Sequence, residues 1–173
     1  MSPQELFQTY REDGIADALV PRHQVHAEGL LHRSVHLFLF NAREELLVTK
    51  RSDQKDICPG HWDLSAAEHQ RPGEAGFESA MRGLQEELHI SEVTLRPILS
   101  WSRHRMTYPG LGIIDYEETM TFLAVYDGSF HFADGEVADS RWIPKVGLSA
   151  FVSEHKTTPW MQRDLRALGW LDS

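Results

Sequence analysis

An α/β fold, with a mixed β-sheet layered between helices, is predicted by three features of this 173-residue chain. The segment "SVHLFLFN" (34–41) is apolar on both alternating faces apart from His36, as a strand buried between two layers would be. From Gly76 to Ile90, the residues Phe77, Ala80, Met81, Leu84 and Leu88 recur at spacings of three and four, which makes one helical stripe. Mixed strands are then followed by two more helical patterns, and strands flanked by helices imply a helix–sheet–helix sandwich.

Taken in order, "ELLVTK" (45–50) follows the first strand after "ARE", which predicts a hairpin return. "PGHWDLSAA" (59–67) reads as a turn and then a strand. "TLRPILSWSRHRM" and "YEETMTFLAVYDG" are strand-like and joined by the Gly/Pro turn "TYPGLG". "PKVGLSAFVSEH" and "TPWMQRDLRALGW" have helical patterns, and in the second Thr158 precedes Pro159 at a first-turn position. Internal repeats, low-complexity stretches and linkers are absent from the sequence, so a single domain over 1–173 is the simplest organisation.

Composition narrows the function classes. The formal net charge is -9, with Asp and Glu spread along the chain. A protein that tracks a nucleic-acid backbone should be basic, so nucleic acid is excluded as the expected partner. A phosphorylated small molecule remains open if a divalent cation mediates. The single cysteine, Cys58, allows no internal disulfide and fits a reducing compartment. No apolar run approaches the roughly 20 residues of a membrane span, and the N-terminus lacks a signal-peptide core. A cytoplasmic protein without a membrane partner is expected, and a homodimer is compatible with that reading.

Chemistry concentrates in "RGLQEELHI" (82–90). On a helical wheel Glu86 and Glu87 fall beside the apolar stripe with Ser79 and Gly83. Arg82 lies one turn from both Glu86 and Glu78, so it can pair with either. Adjacent carboxylates repel unless a cation sits between them, and a hard divalent ion suits them. Mg2+ would bridge these oxygens to a diphosphate and orient an attacking water. A solvated helix face with i,i+4 ion pairs is the competing reading, and the commoner one for an isolated "EE" pair.

The wider segment, "EHQRPGEAGFESAMRGLQEELHI" (68–90), resembles the Nudix box, G-x5-E-x7-R-E-U-x-E-E-x-G-U with U aliphatic. Glu74, Arg82, Leu84, Glu86, Glu87 and Ile90 land on box positions; Glu68, Gly83 and His89 depart from it. The resemblance implies a Nudix-type α/β/α sandwich, Mg2+ or Mn2+ as cofactor, and hydrolysis of a diphosphate linkage. It implies that Glu74 and Arg82 form a structural ion pair.

Residues 29–69 and "TPWM" (158–161) are similar to type I isopentenyl-diphosphate isomerases and their hydrolase relatives. By that resemblance Arg51 and Lys55 contact a substrate diphosphate, and Glu87 binds magnesium with Glu86 and the carbonyl of Ala67. His32, His69, Asp115 and Glu117 hold a metal, with Glu117 also the candidate base. The branch's first metal histidine falls on Val25 in this alignment; "HQVH" (23–26), His32 and His36 could be metal ligands, though neutral core or cap histidines are commoner. The branch also lacks glutamate where Gly83 stands. A carboxylate at 83 would point into the proposed metal site, and Glu68 either supplies that missing acid or blocks the pocket. Trp160 either stacks on substrate or closes the core.

Isomerisation needs a proton donor and an acceptor on opposite faces of the prenyl group. The isomerases use a cysteine where this chain has Ala67, whose methyl cannot transfer a proton. A metal-dependent hydrolase of a small diphosphate is therefore expected. The alternatives are an isomerase-like enzyme and a catalytically weak diphosphate-binding domain.

Overall fold

The computed structural model describes residues 5–132 and 135–172; the expected single-domain span also includes 1–4, 133–134 and 173, which lie outside the described residues. Two strands, β1 (Leu6–Tyr10) and β2 (Ala16–Pro21), form a small antiparallel hairpin of their own. Helix α1 (Arg22–Glu28) follows it. None of these three elements was visible in the hydrophobic pattern, because β2 is mostly exposed and α1 is only two turns long.

A seven-stranded mixed sheet is the centre of the molecule. It contains β3 (His32–Phe40), β4 (Glu45–Arg51), β5 (Trp62–Asp63), β6 (Ala66–His69), β7 (Arg96–Tyr108), β8 (Ile113–Val125) and β9 (Val137–Pro144). The hairpin return from β3 to β4 is closed by Asn41, whose Oδ1 accepts the Arg43 and Glu45 amides, with Glu44 in the left-handed region at φ 59°. The β7–β8 pair is the antiparallel hairpin expected around "TYPGLG". The mixed character comes from β3 and β8, which run parallel with His32 opposite Glu117 and His36 opposite Thr121.

Helix α2 (Gly76–Leu88) covers one face of the sheet; α3 (Leu148–Glu154) and α4 (Pro159–Ala167) cover the other. Ala80, Leu84 and Leu88 of the predicted stripe are fully buried against Val35, Leu37 and Leu39. Phe77 departs from the expectation: it is 50% exposed, because its end of the stripe runs past the core. The helix expected from 144 begins only at Leu148, after a short 3-10 turn at Lys145–Gly147. On the opposite face Phe38, Phe40, Leu46 and Val48 pack on Leu148, Phe151, Met161 and Leu165. No described helix is long and apolar enough to cross a membrane.

Period-two alternation decides what the rest of β3 does. Val35, Leu37 and Leu39 feed the α2 core; Phe38 and Phe40 feed the α4 core. Toward the start of β3, that second face carries His32, Ser34 and His36, and there the core gives way to a cleft.

Candidate active site and metal centre

The cleft has a volume of about 1030 Å³ and brings together most of the residues singled out in the sequence: Arg51, Lys55, Ala67, His69, Glu86, Glu87, Asp115 and Glu117 all line it. Carboxylates outnumber arginines and lysines in its wall.

One end is a histidine–carboxylate cluster assembled by three elements. Strand pairing sets His32 against Glu117, with Nε2 3.6 Å from Glu117 Oε1 and 3.7 Å from Asp115 Oδ1. His69 Nε2 lies 3.3 Å from the same Glu117 oxygen. His26, on α1, completes a set with His32 and His69 in which one ligand atom from each lies within 4.8 Å of the others. This corrects the placement of the first histidine on Val25. Val25 is fully buried, and the neighbouring His26 is turned into the cluster. Gly29 makes that turn: it ends α1 at φ 64°, and a Cβ there would meet Ile114 Cγ2 of β8 at 2.5 Å.

The cluster fits a divalent cation. His26 Nε2, His32 Nε2 and Asp115 Oδ1 are buried and take no hydrogen bond among the described residues. Unpaired buried polar atoms are costly, and a divalent cation is one partner that would satisfy these. His32 Nδ1 donates to the Leu30 carbonyl at 3.0 Å, which leaves the Nε2 lone pair for the cluster. Burial and neighbouring histidines push His26 down to about 3, and burial, against the pull of Glu117, brings His32 to about 4. Both rings are therefore neutral at pH 7, as metal ligation requires. Burial opposes the charge on Glu117, but the hydrogen bond with His69 and the neighbouring imidazoles overcome it and hold its carboxyl well below the usual range. Asp115 moves the other way, raised by burial and by Glu117.

The other end of the cleft belongs to α2. Arg82 is its hub: Nε donates to Glu74 at 2.8 Å, Nη2 to Glu74 and to the His69 carbonyl, and Nη1 reaches Glu68 at 3.0 Å and Glu86 at 3.1 Å. The alternative partner, Glu78, instead accepts the Ala75 amide at the start of α2. Glu86 is 43% exposed on its side chain and also paired to Arg71. Glu87 has no such partner among the described residues. Burial, Glu68 and Glu136 raise its carboxyl to about 8, an arrangement that a divalent cation would relieve.

Gly83 faces the strand that carries Glu68. A Cβ at 83 would stand 3.0 Å from Glu68 Cβ and 3.3 Å from Leu37 Cδ1. The earlier expectation that a carboxylate here would enter the metal site is thus corrected: position 83 is filled by Glu68 and the core. Gly83→Glu is expected to destabilise the protein by about 1–3 kcal/mol through overpacking, read as a lower denaturant midpoint. Gly83→Ala meets the same Cβ contact but gains about 1 kcal/mol of helix propensity, so its loss should be smaller, and Gly83→Glu as stable as wild type would contradict the packing.

Arg51 and Trp160 are fixed by one buried carboxylate. Asp63 accepts from Arg51 Nη1 at 2.9 Å, Trp160 Nε1 at 2.6 Å and Thr158 Oγ1 at 2.8 Å. Trp160 is therefore both core and cleft wall. Lys55 Nζ lies 2.8 Å from Glu136. Sequence reasoning missed Asp63, Glu136 and Asp164, the last of which accepts from His36 at 2.7 Å, and had His26 as one of the candidate ligands in "HQVH".

Comparison with known proteins matches this geometry. Residues 30–163 match the NUDIX domain. An isopentenyl-diphosphate Delta-isomerase from Escherichia coli O127:H6 is 32% identical over 148 residues, covering 85% of this chain and 79% of the relative. One from Citrobacter koseri is 31% identical, covering 86% and 81%. A crystal structure from Deinococcus radiodurans superposes with a TM-score of 0.76 at 19% identity, over 95% of this chain and 99% of that one. The MutT protein from Methanosarcina mazei Go1 does so with a TM-score of 0.61 at 20% identity, over 78% and 88%. Sequence match, sheet order and the box helix at the cleft agree: the chain belongs to the NUDIX domain family.

Proposed function

We propose that the protein is a divalent-metal-dependent hydrolase that cleaves a diphosphate linkage in a small phosphorylated substrate, in a cytoplasmic setting. The observation that carries this reading is the cleft itself, rich in carboxylates and open at Ala67. A diphosphate could not approach such a wall unless cations intervened. Glu86, Glu87 and the Ala67 carbonyl would hold one cation, and His26, His32, His69, Asp115 and Glu117 another. When bound, Mg2+ or Mn2+ supplies charge neutralisation for the diphosphate and a Lewis-acid site for the attacking water.

The chain's own residues do the rest. Arg51, oriented by Asp63, offers a guanidinium to the non-reacting phosphate, and Lys55 adds a point charge. Glu117, beside His69, would take a proton from the attacking water. Arg82 and Glu74 fix the loop before α2 to the helix. Arg51→Ala is expected to raise KM more than it lowers kcat, because phosphate binding is largely uniform between ground and transition states. Equal losses in kcat and kcat/KM would place Arg51 in the transition state instead.

The second reading, isomerisation, is favoured by the curated relatives' names and opposed by Ala67. Its methyl is exposed to the cleft and carries no exchangeable proton. The deciding experiment assays nucleoside diphosphates, dinucleotides and prenyl diphosphates with Mg2+ and Mn2+. Cleavage is expected, giving inorganic phosphate from a terminal diphosphate and two phosphate monoesters from a dinucleotide, and no deuterium should enter isopentenyl diphosphate from heavy water. Deuterium incorporation would replace the hydrolase reading with the isomerase one, and saturable binding without turnover would leave a binding domain.

A further inference from the structure

The β1–β2 hairpin sends one large apolar side chain into the molecule, and that side chain joins neither of the two cores. Burial alternates along β1, so that Leu6 is exposed while Phe7 is only 2% exposed. Among the described residues Phe7 is the only buried apolar side chain of the hairpin, β2 being mostly exposed. Its ring packs instead on the imidazoles of the metal cluster. The centroids lie 4.5 Å from His69, 5.2 Å from His32 with the planes 26° apart, and 5.9 Å from His26, which it meets edge-on. The imidazoles lie between 5.2 and 5.9 Å from one another. One phenyl ring thus packs against three ligands supplied by α1, β3 and β6.

A metal-ligating imidazole is commonly oriented by a hydrogen bond from its second nitrogen. His32 has this in the Leu30 carbonyl, whereas His26 is set among rings, with Nε2 unbonded among the described residues. The hairpin has ties of its own that do not involve Phe7. The Tyr10 amide donates to the Leu31 carbonyl at 2.8 Å and the Arg22 amide to the Glu5 carbonyl at 3.0 Å. Glu12, at the hairpin turn, accepts from Arg103 Nη1 and from the Tyr116 hydroxyl, each at 3.1 Å.

We propose that Phe7 is a positioning residue of the metal centre: it holds the imidazoles of His26, His32 and His69 in a ligating arrangement and closes one side of the cluster to water. It thereby sets how tightly the cation binds and how slowly it leaves. The inference rests on a cation occupying the cluster, as the proposed function requires. A phenyl ring has no donor or acceptor for the ion, so its effect runs through the orientation of the ligands and the exclusion of water. Without it, three ligands on three separate elements would have to be ordered by the cation itself, at a cost in affinity.

The test uses the full chain and Mn2+ without substrate, with affinity read by paramagnetic resonance and release by stopped flow into excess chelator. The Mn2+ that His32→Ala fails to bind defines the cation of the cluster. Phe7→Ala should weaken that binding about 10-fold or more and speed release by a similar factor. Phe7→Leu keeps an apolar anchor for the hairpin but no flat ring, and should still bind about 3-fold or more weakly than wild type. It decides the matter if Phe7→Ala does not fold. Thr9→Ala removes the hydroxyl that bonds the Ala18 amide and carbonyl across the hairpin, leaving Phe7 in place, and should bind within about 2-fold of wild type. Wild-type affinity in the Phe7 variants would overturn the proposal. So would equal weakening in Thr9→Ala and Phe7→Ala, which would make Phe7 an anchor of the hairpin and nothing more. Mn2+ binding that His32→Ala leaves intact would remove the cluster's cation and this inference together. The expected Mn2+ pattern without turnover would remove the hydrolase reading and leave this one standing.

Discussion

Glu87→Gln is expected to reduce metal-dependent turnover roughly 10²-fold or more while the fold is retained. Glu87 stands on the side of α2 next to the stripe, half-buried at the cleft wall, so its amide counterpart removes charge without opening a cavity. The carboxyl is raised to about 8 by burial, Glu68 and Glu136, and this makes a second outcome measurable. An unfolded chain releases this proton near 4.5 and the folded, cation-free protein near 8, so the native state binds more protons between them. Stability without divalent cation should accordingly fall as pH rises across that window. Glu87→Gln should flatten the slope, and Mg2+ should raise Tm more at pH 8 than at pH 6 in wild type but not in the variant. Unchanged phosphate release from purified Glu87→Gln would sink the hydrolase mechanism, whatever the thermal scans showed.

Glu117→Gln should match that loss by another route. Its carboxylate is shared by His32 and His69 and is the only carboxylate within 4 Å of both ring Nε2 atoms among the described residues. Losing it removes an anionic ligand from a site whose other members include two neutral imidazoles, and removes the candidate base as well. A rate loss of roughly 10²-fold or more, together with weaker Mn2+ binding by paramagnetic resonance, is the expected result. Intact Mn2+ binding with lost turnover would separate the base from the ligand role, and intact turnover would exclude both.

Much of the fold was legible because its cues are local. Alternation along 34–41 and the three-and-four spacing of Ala80, Leu84 and Leu88 are properties of consecutive residues, and burial follows them directly. The same spacing set Arg82 one turn from Glu86, and the pair is present at 3.1 Å. The Nudix resemblance extended this to Arg51, Lys55, Ala67, His69, Asp115 and Glu117, which line one cleft. The hairpin of β1 and β2 gave no such cue, since its strands carry little buried apolar surface.

By itself, then, the sequence determined the helix, the strands it packs on and the residue types able to handle a metal and a diphosphate. Tertiary structure alone decided which of them meet. His32 faces Glu117 because β3 and β8 pair in parallel across 85 residues of chain, a register no local pattern records. His26, and not Val25, enters the cluster because Gly29 lets α1 end tightly against β8. Gly83 is a glycine because Glu68 and Leu37 occupy the space where its side chain would be. In each case the deciding energy is a contact between segments far apart in the chain, and such contacts exist only once the backbone has closed on itself.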